Sequence, residues 1–397
     1  MEKVVLAYSG GLDTSVAIKW LGQKYNLKVI TLTIDIGQKI DLNEVKEKAE
    51  KLGVEKAYVW DLKEEFVEEY VLPALKANAL YEGVYPLSTA LSRPLIAKYL
   101  VKVARENNAR YVAHGCTGKG NDQVRFDIAV KSLAPDLEVI APVREWNFTR
   151  EEEIEYAKEN NIPVSVSKEN PYSIDENLWG RSIEGGILED PWLEPPEDIF
   201  QWTKIKPNLP VRYIEISFEK GIPVELDGER MSPLKIIENL NKIAGEYGIG
   251  RVDHIENRLV GIKTREIYEV PAALVLIKAH SAIESLVHHR ELSHFKRIVE
   301  EKYSQIIYYG LWFDPLREAL QSFIEKTQER VTGKVRVKFG YGAFSIVGKY
   351  SPYSLYDYDL ATYDKKSTFS KESAEGFIKI FGLPSYLYAK KGNKNNF

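Results

Sequence analysis

The segment Ser9-Gly10-Gly11-Leu12-Asp13-Thr14-Ser15 contains the residue types that bind phosphate. It lies between a predicted strand, Val4 to Tyr8, and a predicted helix, where free backbone N–H groups and the helix dipole favour an anion. Its glycines allow the backbone to approach a phosphate closely, and its hydroxyl groups add donors. It is not a Walker A loop, because the spacing is too short and no Lys-Ser/Thr pair follows. We therefore expect a phosphate-binding loop rather than a plain glycine turn with a helix cap.

A second polar segment, His114 to Phe126, has residue types suited to small polar ligands. It packs three glycines among amide, hydroxyl, carboxylate and cationic groups. Arg125 can hold a carboxylate bidentately, and Asp122 can accept an ammonium group. The alternative is a solvated loop with glycine turns. We interpret Cys116, inside this segment, as small buried filler rather than a nucleophile.

These segments require a frame that brings them together. Strand and helix patterns alternate over the first 150 residues, which predicts a parallel sheet with right-handed crossovers. Ligands on such sheets bind at the carboxyl ends of the strands. The predicted strands are Val4 to Tyr8, Lys28 to Ile34, Glu55 to Asp61 and Tyr111 to His114. Polar motifs follow the first, the second and the last of these strands.

The pattern changes near Pro163. From Ser165 to Pro207 the sequence lacks clean periodicity, and we expect a long ordered loop over a site. Beyond it an α+β arrangement is predicted, with a continuous helical tract from about Ala272 to Lys302. A short helix from Ser370 to Phe381 has one apolar side, which needs a partner because so short a helix is marginal in water.

Composition narrows the class of protein. The 397 residues allow two or three domains, and 44% hydrophobic residues suffice for a sizeable core. The net charge of -4 argues against nucleic acid as the main partner. A single cysteine excludes an intramolecular disulfide and a cysteine-rich zinc site. Without a signal peptide or an apolar run of membrane-spanning length, we expect a cytoplasmic protein that contacts no membrane.

The chain resembles a known family. Ser9 to Ser15 is similar to the pyrophosphate loop of the N-type ATP pyrophosphatases. Further segments resemble the argininosuccinate synthase family, with its motifs in order and spacing from Val4 to at least Tyr268. These segments are His114 to Phe126, Tyr81 to Leu87, Asn170 to Trp179 and Glu256 to Arg258.

The resemblance implies an α/β fold with three parts. The first is a parallel-sheet, Rossmann-like ATP pyrophosphatase domain (adenine nucleotide α-hydrolase-like) at residues 1–165. The second is an α+β synthetase domain for substrate binding and multimerisation at 166–365, and the third is a C-terminal oligomerisation helix at 366–397. The family is expected to form homotetramers.

The resemblance also implies an activity, the ATP-dependent condensation of citrulline with aspartate in arginine biosynthesis. Citrulline would be activated as a citrullyl-adenylate, from which the aspartate amine displaces AMP to give argininosuccinate. Such chemistry needs positioning and charge neutralisation rather than a covalent nucleophile, and we expect none. Mg²⁺ is expected on the phosphates of ATP, with no protein metal site.

Site residues follow from the resemblance, position by position. ATP is expected to contact Ala7, Tyr8, Ser9, Gly10, Gly11, Leu12, Asp13, Thr14, Ser15, Ile34 and Gly115. Aspartate is expected to contact Thr117, Asn121 and Asp122. Citrulline is expected to contact Tyr85, Asn121, Arg125, Ser173, Ser182, Glu256 and Tyr268. Positioning for catalysis is assigned to Asp13, Asn121, Asp122 and Arg125. Ala90 stands where many family members carry a hydroxyl, so a citrulline contact there would fall to Thr89, the backbone or water.

Two other functions remain open from the sequence. One is a different ligase with the same loop, such as a tRNA-modifying enzyme, which the charge of -4 and the single cysteine disfavour. The other is a non-catalytic nucleotide-binding protein, which would have little need for the remaining polar residues. Four histidines in one helical tract are interpreted as surface or interface residues rather than metal ligands; they are His280, His288, His289 and His294.

Overall fold

The computed structural model describes residues 1–146, 148–163 and 171–392. Two compact units divide the chain, Met1–Tyr353 and Ser354–Phe397. The predicted boundary at 165/166 lies outside the described residues, and the three-part division stays a prediction. Within the described ranges, none of the helices has the length and apolarity needed to cross a membrane.

A parallel sheet forms the first part of the chain. Its strands are β1 (Lys3–Ala7), β2 (Lys28–Asp35), β3 (Lys56–Asp61), β4 (Tyr111–Ala113) and β5 (Glu138–Ile140). The order across the sheet is β3-β2-β1-β4-β5, with every neighbouring pair parallel. The central strand β1 has fully buried apolar residues because helices cover both faces of the sheet. The predicted parallel α/β architecture is confirmed.

Helices connect these strands. They are α1 (Leu12–Tyr25), α2 (Leu42–Lys51), α3 (Lys63–Phe66) running through a π-helical turn (Val67–Val71) into α4 (Leu72–Lys76), α5 (Ser88–Glu106), α6 (Asp122–Leu133), α7 (Pro142–Trp146) and α8 (Arg150–Glu159). Helix α5 begins five residues before the predicted start at Arg93, and Pro94 lies inside it. Helix α8 begins with a capping box between Thr149 and Glu152.

Two antiparallel sheets form the second part. Their strands are β6 (Ser173–Asn177), β7 (Gly180–Glu184), β8 (Arg212–Glu219), β9 (Ile222–Leu226), β10 (Glu229–Arg230), β11 (Arg251–Asn257), β12 (Lys263–Glu269), β13 (Gly333–Gly340) and β14 (Ala343–Tyr350). One sheet has the order β10-β9-β8-β13-β14, and the other has the order β11-β12-β7-β6. The second of these positions the site residues of this part of the chain.

Helices of the second part are α9 (Pro233–Glu246), α10 (Pro271–Val287), α11 (Arg290–Tyr308) and α12 (Pro315–Thr327). Short 3₁₀ turns are at Gly186–Glu189, Glu197–Ile199 and Gln328–Arg330. Ser232 and Asp314 cap α9 and α12, each with proline in the first turn. The predicted α+β character is confirmed.

Three sequence predictions about this part are wrong. The segment from Ser165 to Pro207, predicted as a loop, contains the hairpin β6–β7. The two strands are rich in polar residues and lack a simple alternation of polar and apolar side chains, so the sequence pattern did not indicate them. The helical tract from Ala272 to Lys302 breaks at His288, whose backbone is extended. His280 is fully buried between Asn78 and Gln328 instead of lying at a surface.

The unit Ser354–Phe397 contains α13 (Tyr358–Ala361), α14 (Lys371–Phe381) and α15 (Leu383–Gly392). Helix α14 closely matches the short helix predicted from Ser370. Its apolar side chains, among them Phe377 and Phe381, are exposed. Helix α15 was not predicted.

Candidate active site

The loop from Ser9 to Ser15 connects β1 to α1, as its sequence predicted. Gly11 is the N-cap of α1 and has no side chain to satisfy the first N–H groups of the helix, so these groups remain available to an anion. Gly10 has φ +80, a conformation that glycine adopts without strain. The Lys48 ammonium of α2 donates to the Gly10 carbonyl at 2.6 Å, which adds a positive charge beside the loop.

Hydroxyl groups hold this loop in shape. Ser9 Oγ and Thr14 Oγ1 lie 3.1 Å apart, and Ser9 Oγ accepts a hydrogen bond from the Gly11 amide at 3.3 Å. Ser15 is fully buried and donates to the Gly11 carbonyl at 2.7 Å, while its oxygen lies 3.1 Å from the Tyr8 hydroxyl. Ser9 and Thr14 can therefore reach a ligand, whereas Ser15 supports the loop from behind.

A cavity of about 820 Å³ opens at the carboxyl ends of the central strands. Most of the residues expected to contact ATP line it, namely Ala7, Tyr8, Ser9, Gly11, Leu12, Asp13, Thr14, Ile34 and Gly115. Gly10 and Ser15 belong to the same loop but do not line the cavity. A cavity of this size, with a polar loop at one end and apolar side chains such as Leu32 and Ile36 on its wall, suits a nucleotide.

Helix α8 contributes charged residues at the phosphate loop. Arg150 lines the cavity and pairs with Asp13 at 2.9 Å and with Glu153 at 2.9 Å. Burial and the nearby Asp13 carboxylate raise the pKa of Glu153 to about 7. No motif in the sequence pointed to Arg150 or Glu153.

A second cluster centres on the buried carboxylate of Glu256, which lies on β11. The hydroxyls of Tyr268 and Tyr308 donate to its two oxygens, each at 2.7 Å. The Asn121 amide donates to the Tyr308 hydroxyl at 2.7 Å and lies 3.3 Å from Glu256 Oε1. Burial, followed by the charge of Glu256, raises the pKa of both tyrosines above the usual range, so both stay donors. The Tyr85 ring stacks on Tyr268 with centroids 4.2 Å apart.

Arg125 joins this cluster to the segment at the start of α6. Its guanidinium lies 4.8 Å from the centroid of the Tyr308 ring and donates to the Tyr308 carbonyl at 3.0 Å. It also pairs with Asp122 at 2.8 Å. Its second terminal nitrogen, Nη2, is buried and has no hydrogen-bond partner among the described residues. A buried donor of this kind suits the carboxylate of a small ligand.

Arg93 links Asp122 to the cavity. It lines the cavity and pairs with Asp122 at 2.7 Å and with Asp175, which lies on β6. Burial alone would raise the pKa of Asp122, but the Arg93 and Arg125 guanidinium groups outweigh burial and lower it to about 2. Both oxygens of Asp122 are therefore engaged by arginines, so an ammonium group would have to share this carboxylate with them.

The remaining predicted residues lie in different places. Ser173 lines the cavity on β6. Ser182, on β7, is paired across the strands with Tyr268 and Asp175, and its hydroxyl donates to the Asp175 carbonyl at 3.4 Å. Thr117 is exposed, and no hydrogen bond joins its side chain to the other predicted residues in the described ranges.

Several residues of the site were missed from the sequence. Arg93 follows the segment Tyr81 to Leu87 closely, and Asp175 lies inside the segment Asn170 to Trp179, so both were near recognised motifs. Tyr308 ends a long helix and has no local motif. Cys116 is half-buried; it packs against the main hydrophobic core and also lines the cavity, and burial raises the pKa of its thiol. Ala90 is buried in α5, and the Thr89 amide donates to the Tyr85 hydroxyl at 2.9 Å.

Comparisons with known proteins find related sequences over nearly the whole chain. Residues 3–163 match the family model of the arginosuccinate synthase N-terminal HUP domain, and residues 172–388 match that of the arginosuccinate synthase C-terminal domain. The argininosuccinate synthase of Dictyoglomus turgidum is 75% identical over 394 residues, covering 99% of each chain. The argininosuccinate synthase of Symbiobacterium thermophilum is 57% identical over 392 residues, covering 98% of each chain. That of Dehalococcoides mccartyi strain 195 is 56% identical over 405 residues, covering 99% of this chain and 100% of the relative.

Proposed function

The chain belongs to the argininosuccinate synthase family of ATP-using ligases, and we propose that it condenses citrulline with aspartate in two steps at the cavity and the Glu256 cluster. The observation that carries this proposal is a continuous series of contacts between the cavity and the Glu256 cluster. Arg93 lines the cavity and pairs with Asp122, which pairs with Arg125 beside Glu256. A nucleotide site thus adjoins a set of groups suited to amino-acid ligands.

ATP is proposed to bind with its phosphates on the loop from Ser9 to Ser15. The free N–H groups at the start of α1 and the hydroxyls of Ser9 and Thr14 support this assignment. The backbone of Ile34, at the end of β2, and Gly115 are proposed to contact the nucleotide, since both line the cavity. Mg²⁺ would be held mainly by phosphate oxygens and water, and it would neutralise phosphate charge.

Citrulline is proposed to bind at the Glu256 cluster. Glu256 can accept the ammonium group of an amino acid, and the free Nη2 of Arg125 can donate to its carboxylate. Tyr85, Asn121 and Tyr268 surround the same place. Ser173 and Ser182 are proposed to hold the far end of the ligand, because β6 and β7 connect the cluster to the cavity.

Aspartate is proposed to contact Thr117, Asn121 and Asp122. Of these, Asp122 has the clearest support, because it lies between the cavity and Arg125. Arg93 would keep Asp122 ionised and in place, so we assign Arg93 as a positioning residue.

The chemistry needs two displacements. The ureido oxygen of citrulline bonds to the α-phosphorus of ATP, and pyrophosphate leaves. The aspartate nitrogen then bonds to the ureido carbon, the bond from that carbon to the AMP oxygen breaks, and AMP leaves with both electrons. Fixed arginines and loop N–H groups next to the reacting phosphate would stabilise the charge that develops in both steps.

The test measures pyrophosphate release from ATP by the full-length protein. Release should require citrulline, and argininosuccinate should form only when aspartate is added. Release that does not depend on citrulline would contradict the proposal. Release stimulated by tRNA would favour the tRNA-modifying alternative, and nucleotide binding without turnover would favour a non-catalytic nucleotide-binding protein.

The homotetramer is also a proposal, and a second copy of the chain is its partner. The exposed apolar side of α14 supports it, because an amphipathic helix with that face in water gains stability by covering it. The expectations of a cytoplasmic location, no nucleic-acid partner and no membrane contact stay predictions.

A further inference from the structure

Arg150 lies at the phosphate end of the cavity, and the proposed function leaves it without a role. It is the first residue of α8, and this helix packs against α1. Arg150 lines the cavity together with Ser9, Gly11 and Thr14. A guanidinium facing the space proposed for the phosphates can bind phosphate oxygens bidentately.

The contacts that hold Arg150 are weak enough to be exchanged. Its pair with Asp13 joins two exposed side chains, with 60% and 44% of their surfaces accessible to solvent. Ion pairs this exposed contribute little to stability, because water screens them and both side chains must be fixed. A phosphate in a partly enclosed cavity is a stronger partner for the same fork of donors.

Unless it carries a proton, Glu153 would make this exchange of partners by Arg150 unfavourable. Its side chain is 8% exposed, and it shares Arg150 with Asp13, so departure of Arg150 would leave two carboxylates together. Glu153 Oε1 is buried and accepts no hydrogen bond from the described residues. Such an oxygen beside a second carboxylate is satisfied when one of the two carries a proton.

The local charges favour protonation of Glu153. Burial and the Asp13 carboxylate of α1 raise the pKa of Glu153 to about 7, and Arg150 of α8 acts in the opposite direction. Asp13 and Arg150 are the charged groups with the largest effects on the pKa of Glu153. Removal of Arg150 from the pair would raise this pKa further.

We propose that Arg150 is a phosphate-binding residue. When the nucleotide binds, Arg150 leaves the Asp13 carboxylate and binds the phosphates instead, and Glu153 carries a proton so that the two carboxyl groups are not both charged. This inference rests on the proposed nucleotide site. It adds a residue from α8 to the loop of β1 and α1, and it couples nucleotide binding to proton uptake.

The first experiment measures binding of inorganic pyrophosphate with Mg²⁺ to the full-length protein by calorimetry. Arg150→Gln should weaken binding by about tenfold or more, since it removes charge-assisted hydrogen bonds. Arg150→Lys should have an intermediate effect, because lysine keeps the charge without the fork. The matched control is Arg105→Gln, which removes another exposed ion pair, to Asp136 at 2.6 Å, on a residue that does not line the cavity.

The second experiment measures protons taken up on binding, from calorimetry at about pH 8 in two buffers with different ionisation enthalpies. The wild type should take up more protons than Glu153→Gln, and the difference excludes the titration of pyrophosphate itself. Arg150→Gln should also take up fewer, because no arginine then leaves the pair. That variant keeps the test valid if Glu153→Gln does not fold.

The outcomes separate this inference from the proposed function. If the wild type does not bind pyrophosphate, both are overturned. If the wild type binds and Arg150→Gln binds within twofold as tightly, the role of Arg150 is overturned and the nucleotide site stands. Equal proton uptake by all three proteins overturns the role of Glu153.

Discussion

Asp122 is the residue at which the two proposed amino-acid sites meet. Its oxygens pair with Arg93 on one side and with Arg125 on the other. From the sequence alone, a change at Asp122 would be expected to affect aspartate and to leave citrulline adenylation largely intact. The ion pair to Arg125 predicts a different result, because Arg125 is assigned to citrulline.

The variant Asp122→Asn tests this coupling. We expect the KM for aspartate to rise by about tenfold or more, since a charged hydrogen-bonding group is lost. The KM for citrulline should also rise, by a smaller factor, because Arg125 loses its partner. Steady-state kinetics with each substrate varied in turn measures both, and an unchanged citrulline KM would contradict the coupling.

Tyr308 is a substrate-site residue that no sequence motif indicated. Its hydroxyl donates to Glu256 and accepts from Asn121, both at 2.7 Å. Tyr308→Phe should therefore raise the KM for citrulline by about tenfold or more, as expected for one buried hydrogen bond to a charged group. Tyr309→Phe is the matched control, because the neighbouring hydroxyl has no hydrogen bond to the site in the described ranges. Equal effects of the two variants would exclude a specific role for Tyr308.

Glu266 predicts a pH dependence of stability. Burial, together with the charges of Glu184 and Glu256, raises its pKa to about 9. The folded protein holds a proton on Glu266 that the unfolded chain releases at about pH 4.3. The contribution of this proton to the free energy of unfolding is therefore complete below that pH and is lost as the pH rises towards 9. The apparent melting temperature should fall less steeply from about pH 5 to 9 in Glu266→Gln than in the wild type. Parallel profiles would contradict the assignment.

At the scale of elements, the end of β2 is fixed by packing against the hairpin β6–β7. Gly37 has φ +100, and a Cβ at this position would lie 2.4 Å from Leu178 Cγ. The Ile36 carbonyl accepts a hydrogen bond from the Leu178 amide at 2.9 Å. Because Ile34 and Ile36 line the cavity, this contact sets the position of its wall.

The variant Gly37→Ala should both lower stability and weaken ATP binding. The positive φ costs about 1 kcal/mol for alanine, and the close contact adds about 1–3 kcal/mol. Gly228→Ala separates the two effects, since Gly228 has φ +82 with no atom within 4 Å of a Cβ. Thermal melting and ATP titration of both variants measure the difference. Equal losses of stability and of ATP affinity in the two variants would mean that packing against Leu178 has no role.

At the scale of the whole molecule, the unit from Ser354 onwards leaves apolar side chains in water. Phe377 and Phe381 on α14 are 59% and 71% exposed. Deletion of residues 370–397 should reduce the particle from a tetramer to a smaller species, measured by light scattering on a sizing column. The double substitution Phe377→Glu with Phe381→Glu should do the same without shortening the chain. A tetramer in both cases would refute the role of this helix.

Much of the fold was predictable because local patterns determine it. The alternation of apolar strands and helices over the first part predicts the parallel sheet, and the glycines after β1 predict the phosphate loop. The hairpin β6–β7 and the break at His288 were not predicted. Their backbone follows from pairing with β12 and from packing of the helices, which short-range sequence patterns do not record.

The sequence by itself determined the class of chemistry, through the loop Ser9 to Ser15 and the residue types around Arg125. Only the tertiary structure decided how these groups are paired. Arg93 meets Asp122 and Asp175, and Tyr308 meets Glu256, across sequence separations of 29, 82 and 52 residues. Ion pairs and buried hydrogen bonds depend on distances of a few ångströms between elements far apart in the chain, so they exist only once the sheets and helices have packed.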